Sequence, residues 1–284
     1  MWRLFKFPEV LKGGVKVDII GRQQSGNTIK ICWRYTGCRA GAGSHKGDTK
    51  NSIKEKVNMI GGDVTLYSST FGTKTKMSLK MSPDSYGNKG MTLEQFMKKV
   101  ADAKSFGVKL NFEKINAFEE TIKVLKAMSG KIKFPLWLNA VTDDMEDKDI
   151  NKFLSLCTHN FPKATISIGM LHKGQTLGSK RGYSAKLVTQ IKDTLTRNNV
   201  TQPVAFPVIA PIAADSLDTL PALKDVHGIT DSALYMYDER LVNYSYDYIN
   251  KMKKLVNIFG KNRVYLDSYA DLAYYFSMTP YKSG

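Results

Sequence analysis

The feature that most constrains the fold is a regular alternation of short apolar, β-branched segments with amphipathic helical segments. Over most of the chain the predicted strands start about 30 residues apart, the length of a strand followed by a crossover helix. Such alternation requires parallel strands joined by helices. The predicted strands are 28–33, 63–67, 107–112, 134–139, 164–169, 203–208, 232–237 and 263–267.

The segments between these strands carry apolar residues at helical spacing. The predicted helices are 51–58, 117–128, 147–157, 184–197, 216–223 and 246–259. A further helix begins after Thr92, where Thr92 and Gln95 form a capping box that satisfies two backbone N–H groups. Residues 76–81 are an additional extended segment after the second strand.

Eight strand–helix units in 284 residues predict an α/β fold of the (β/α)8 TIM-barrel type. A doubly wound open sheet is the alternative, because a strand count does not show that a sheet closes. Since no linker rich in Pro or Ser divides the chain, we expect one domain over 1–284. It would comprise an N-terminal extension at 1–27, the barrel at 28–268 and a C-terminal tail at 269–284.

The chain is strongly basic, with 42 Lys and Arg against 26 Asp and Glu and a formal net charge of +16. Residues 1–60 hold 12 basic and 4 acidic side chains and so contribute half of this surplus. Such a surplus favours acidic partners, although a merely solvated surface is the simpler interpretation. The candidate contact residues share this region and a positive charge: Arg22, Lys30, Arg34, Arg39, Lys46, Lys50, Lys54 and Lys56.

Cysteines and targeting signals bear on the compartment. Cys32, Cys38 and Cys157 lack the paired spacing of metal ligands. Their number allows one disulfide, and Cys32 and Cys38 are the closest pair in sequence. No apolar run reaches the length of a membrane span, and the N-terminus lacks the apolar core of a secretory signal. The chain is therefore cytosolic or a mature form without its signal peptide. Sequons at Asn199 and Asn243 would permit glycosylation of a secreted form.

Motifs with obvious chemistry are few. The segment 21–28 lacks the Lys of a phosphate-binding loop, and the four histidines lack metal-ligand spacing. The acidic cluster 143–147 follows a strand end, where barrels keep their sites, but it also precedes a helix. We interpret it as a helix start, because acidic residues there complement the helix dipole.

Several segments agree, in order and spacing, with one known family. They are 91–96, 107–112, 136–140, 161–169, 182–184, 203–208, 243–245 and 264–267. Through them the chain from about residue 28 to 268 resembles the menorin family, whose barrel domains are related to glycerophosphodiester phosphodiesterases and other phospholipase C-like barrels. The resemblance implies a phospholipase C-like barrel with its site at the carboxyl ends of the strands.

The resemblance also implies a site of two histidines and several carboxylates, most of which this chain replaces. Asp63 and Lys109 are kept. Arg34 and Tyr35 follow Trp33 where the first histidine is expected, and Ser82 stands where the second is expected. Gly61 replaces a Glu, Asn111 and Val141 replace Asp, and Ile209 replaces an Arg. The degenerate rim thus comprises Tyr35, Gly61, Asp63, Ser82, Lys109, Asn111, Asn139 and Ile209.

The losses predict a non-catalytic menorin-like protein, with no metal and no cofactor, that acts by binding or as a structural component. Family resemblance favours an extracellular setting over a cytoplasmic one. The expected partner is an acidic protein, a glycan or a mineral surface, and nucleic acid is not expected, since no nucleic-acid motif is present. The alternative is a metal-dependent phosphodiesterase of glycerophosphodiesters or phospholipid head groups, using Asp63, Asp267 and His45.

Overall fold

The computed structural model describes residues 17–18, 30–35, 59–71, 73–82, 91–103, 107–169, 182–237 and 245–267. They form an α/β fold with a mostly parallel sheet and helices, which confirms the predicted class. The strands are β1 Val17–Asp18, β2 Lys30–Tyr35, β3 Met59–Phe71, β4 Lys74–Ser82, β5 Gly107–Phe112, β6 Leu136–Ala140, β7 Thr165–Ile168, β8 Val204–Ile209, β9 Ser232–Tyr237 and β10 Val264–Asp267. The helices are α1 Leu93–Ala103, α2 Ile115–Ala127, α3 Asp147–Asn160, α4 Ala185–Arg197, α5 Ala210–Ala214 and α6 Tyr246–Phe259.

Eight of the strands are parallel, at the eight predicted places. Parallel pairing runs from β3 through β5, β6, β7, β8, β9 and β10 to β2. Strand β2 also pairs in parallel with β3, where Arg34 is the partner of Gly61. The additional extended segment is β4, which pairs antiparallel with β3.

The helices pack against one face of the sheet and bury its largest apolar cluster. On β5, the side chains of Val108, Leu110 and Phe112 are fully buried in this cluster. Phe112 meets Phe118 of α2 edge-on, with ring centroids 4.9 Å apart, and Phe118 lies 4.4 Å from Phe153 of α3. These rings join one strand to two successive helices.

Helix starts follow the sequence signals. The capping box of α1 is confirmed, because the Thr92 N–H donates to Gln95 Oε1 over 3.0 Å and the Gln95 N–H donates to Thr92 Oγ1 over 3.2 Å. Ser184 and Ser245 cap α4 and α6 by accepting the N–H of the third residue that follows.

One helix prediction needs correction and another stays open. The helix expected at 216–223 is only a 3-10 turn at Leu220–Leu223. The α-helix in this region is instead α5, which begins directly after β8 and has Pro211 in its first turn, where its missing N–H is harmless. The helix predicted at 51–58 lies outside the described residues.

The structure also bears on the cysteines and the membrane. Cys157 is buried in α3, and this burial raises the pKa of its thiol well above the usual value. Cys38 lies outside the described residues, so the Cys32–Cys38 disulfide stays a prediction. Within the described ranges, no helix is long and apolar enough to cross a membrane.

We expect Phe118→Ala to lower the free energy of unfolding by about 3–5 kcal/mol, because it leaves a cavity among three packed rings. Urea unfolding followed by circular dichroism measures this loss. Tyr246→Ala is the control, since Tyr246 is 74% exposed and should change the free energy by less than about 0.5 kcal/mol. Equal losses in the two variants would contradict the packing described here.

Candidate functional site

The face of the sheet away from the helices begins with an aromatic layer. Met59, Trp137, Ala205 and Tyr235 form a separate buried cluster there. The Trp137 ring lies edge-on to Tyr265, at 4.5 Å between centroids, and 6.3 Å from Tyr235. This layer fills the space between the strands on that side.

A row of polar residues crosses four neighbouring strands, and its member on β6, Asn139, lies two positions after Trp137. Asp63, Asn111, Asn139 and Ser167 are successive Cα partners across β3, β5, β6 and β7. Ser167 is fully buried, and its hydroxyl donates to Asn139 Oδ1 over 2.6 Å. The strand register therefore assembles residues up to 104 positions apart in sequence (167 minus 63) into one polar line.

The centre of the site is a hydrogen-bonded chain of three side chains. Lys109 is only 4% exposed, and its ammonium donates to Asn111 Oδ1 over 2.7 Å. The Asn111 amide in turn donates to Asp63 Oδ1 over 2.7 Å. Lys109 Nζ also lies 4.3 Å from the ring centroid of Tyr235, a cation–π distance. The neutral amide thus connects one positive and one negative charge.

A cavity of about 320 Å³ opens beside this chain. Among the residues that the structure describes, its wall contains four carboxylates and one ammonium, that of Lys109. The acidic residues that line it are Asp63, Glu113, Asp143 and Asp144, and Tyr235 and Tyr237 supply aromatic rings. The described wall is therefore acidic, in contrast to the basic character of the whole chain.

Glu113 shows the effect of this crowding. Partial burial raises the pKa of its carboxyl above the usual value, and the negative charges of Asp63 and Asp144 raise it further. The three carboxylates thus repel one another through the cavity. However, the part of the chain that the structure describes contains no group of three or more His, Cys, Asp or Glu that could hold a metal ion.

The structure brings together half of the predicted rim. Asp63, Lys109, Asn111 and Asn139 all line the cavity. Gly61 is buried in β3 as the partner of Lys109.

The other three predicted rim residues lie elsewhere or are located by their backbone alone. Tyr35 and Ser82 are the strand partners of Gly62 and Asp63. Ile209 does not line the cavity, because it packs in the helix-side core and its N–H donates to the Tyr183 hydroxyl over 2.8 Å.

Sequence patterns did not predict the acidic wall. The helix-start interpretation holds for Asp147, in the first turn of α3, but Asp143 and Asp144 lie in a 3-10 turn that lines the cavity. Their position just after β6 was the available signal. Glu113 directly follows β5, and nothing in its local pattern distinguished it from a solvated loop residue.

The predicted basic contact surface falls mostly outside the described residues. Lys30 and Arg34 belong to β2, as the backbone partners of Tyr265 and Gly61. The six that the structure does not describe are Arg22, Arg39, Lys46, Lys50, Lys54 and Lys56. His45 also lies outside the described residues, and Asp267 ends β10.

Comparison with known proteins identifies a family and a relative. The family model described as the Menorin N-terminal domain matches residues 40–273. Protein FAM151B of Homo sapiens is 27% identical over 184 residues, which cover 63% of this chain and 64% of that protein. The matched region therefore spans less than two thirds of the relative's length.

Removal of Asn111 alone should be more harmful than its removal together with Lys109. We expect Asn111→Leu to lower the free energy of unfolding by about 2–3 kcal/mol, because the buried ammonium loses its acceptor. Lys109→Met/Asn111→Leu removes both partners and should restore part of that loss. Chemical unfolding of the single and double variants measures the coupling, and strictly additive losses would show that the contact contributes nothing.

Proposed function

The chain belongs to the menorin family, and on that premise we propose that it is a non-catalytic member that acts by binding or as a structural component. The observation that carries this proposal is the Asp63–Asn111–Lys109 chain. Both functional atoms of the Asn111 amide are engaged, one by the ammonium and one by the carboxylate. A phosphodiesterase of this type would need carboxylate ligands and an acid/base pair at these positions.

We also infer that the eight parallel strands close into a (β/α)8 barrel of the phospholipase C-like type. The pairing of β2 with both β10 and β3 supports closure, because that strand joins the two ends of the parallel series. In such a barrel the polar row lies at the carboxyl ends of the strands, where this fold carries its sites.

The proposed partner is acidic: a protein, a glycan or a mineral surface, met outside cells. The net charge of +16, half of it in residues 1–60, supports this class of partner because an excess of positive charge attracts anions. The acidic cavity wall does not cancel this surplus, because its four carboxylates are already counted among the 26 acidic residues in the net charge.

Charge reversal in the N-terminal region should weaken polyanion binding. We expect Lys46→Glu/Lys50→Glu to weaken the binding of a fluorescent heparin fragment or polyglutamate at least tenfold at low salt, with a shallower salt dependence, because fewer cations contact the anion. Fluorescence polarisation measures the affinity. Lys163→Glu/Lys186→Glu carries the same charge change on exposed residues elsewhere and should leave it within about twofold. Equal losses would mean that only net charge matters.

Phosphodiesterase activity is the second candidate, and the four carboxylates of the cavity favour it. In that case Asp63, with Asp267 and His45, would serve a divalent cation and its substrate, a glycerophosphodiester or a phospholipid head group.

Turnover assays separate the two functions. We expect no turnover of glycerophosphodiesters or lysophospholipids above that of heat-denatured protein, with either Mg²⁺ or Ca²⁺ added. Metal-dependent turnover that Asp63→Ala abolishes, while the exposed control Asp225→Ala preserves it, would contradict the non-catalytic function.

A further inference from the structure

The hairpin of β3 and β4 reaches beyond the parallel sheet. Pairing of β3 with β2 ends at Gly62 and its pairing with β5 ends at Asp63, whereas its pairing with β4 continues to Phe71. The eight residues 64–71 extend about 25 Å at the usual rise of a strand. Among the described strands, these residues of β3 pair with β4 alone.

The two faces of this hairpin differ in character. Val64, Leu66, Leu79 and Met81 belong to, or pack against, the helix-side core. The opposite face, here called the lysine face, comprises Thr65, Tyr67, Ser69, Lys76, Ser78 and Lys80. Lys80 Nζ lies 5.3 Å from the Tyr67 ring centroid, so this face combines cations, hydroxyls and an aromatic ring. Residues 64–81 contain three lysines and no Asp or Glu.

Strand β4 also presents an edge. Within the ranges that the structure describes, its pairing on the side away from β3 is limited to the Lys80–Thr92 bridge and the bond from the Met81 N–H to the Met91 carbonyl. Residues 75–79 have no strand partner there. An edge of this kind can accept an extended peptide as a further strand. Its lysines disfavour a second copy of the same edge, because like charges would face each other.

Charge and shape together specify the occupant. A strand added beside residues 75–79 would place alternate side chains next to Lys76 and Ser78, and the others next to Thr75, Met77 and Leu79, while Thr92 occupies the edge position beside Lys80. Acidic residues complement the lysines, and apolar residues complement Met77, which is 51% exposed. The chain's own N-terminal region is a poor occupant, because residues 1–60 carry 12 basic and 4 acidic side chains.

We propose that the edge of β4 binds an extended acidic peptide segment of a partner protein, in which acidic and apolar residues alternate. This inference rests on the proposed binding function and gives its acidic partner a specific form. Backbone hydrogen bonds along residues 75–79 supply the affinity, and the lysine face selects the charge pattern.

The test uses the full chain and two short blocked peptides of equal composition. In one peptide Glu and Val alternate, and in the other the Glu residues are grouped at one end. We expect the alternating peptide to bind at least tenfold more tightly by fluorescence polarisation. Lys76→Glu/Lys80→Glu should weaken its binding at least tenfold, whereas Lys163→Glu/Lys186→Glu should change it less than twofold.

Hydrogen exchange locates the contact without any substitution. We expect the alternating peptide to slow exchange at residues 75–79 of the unaltered protein. Equal binding of the two peptides, protection only elsewhere, or full protection of 75–79 before the peptide is added would each overturn the inference.

A heparin fragment separates this inference from the wider function. If heparin binds and the alternating peptide does not, the edge site is wrong while the proposed function stands. If heparin, polyglutamate and the peptides all fail to bind, both are wrong.

Discussion

Burial of β5 on both faces is the constraint on which the site depends. Val108, Leu110 and Phe112 pack against the helices, so the alternation of the strand turns Lys109 and Asn111 to the other side. Because Lys109 is only 4% exposed, protein groups must replace much of the solvation of its ammonium. The Asn111 carbonyl, the Tyr235 ring and, through the amide, the Asp63 carboxylate do so. Packing on one face thereby fixes the chemistry of the other.

This arrangement gives a structural role to Asn111, which stands where the family resemblance implies an Asp. An amide both accepts and donates, so it can link a cation to an anion, whereas a carboxylate at this place could only accept. The linked set pairs one positive with one negative charge. The other acidic residues of the cavity wall are Glu113, Asp143 and Asp144. Partial burial raises the pKa of Glu113, and the charges of Asp63 and Asp144 raise it further.

Much of the fold could be predicted from periodicity. The bounds of β5, β9 and α6 agree with the prediction because their apolar patterns are unbroken, and Ser245 marks the start of α6. Strand β3 is far longer than predicted, since Gly61, Gly62 and the polar stretch 68–70 carry no apolar alternation. Helix α5 was missed because it is short and contains Pro211.

The site was predictable only in part. Family resemblance located Asp63, Lys109, Asn111 and Asn139, and strand register brings them together. Glu113, Asp143 and Asp144 enter through turns after strand ends, and the course of a turn is not encoded in strand periodicity. Ile209 was predicted at the rim but packs in the helix-side core, because β8 runs directly into α5 at this residue.

The most direct test is side-chain NMR of the Asn111 amide during titration with Mg²⁺ or Ca²⁺. It shows whether hydrogen bonds to Lys109 and Asp63 already occupy the polar atoms of Asn111. We expect the Asn111 amide signals to stay unchanged at millimolar cation, because their oxygen and nitrogen already bind Lys109 and Asp63. A saturable shift of these signals, absent in Asp63→Ala, would show that a cation competes for this site and would contradict a non-catalytic role.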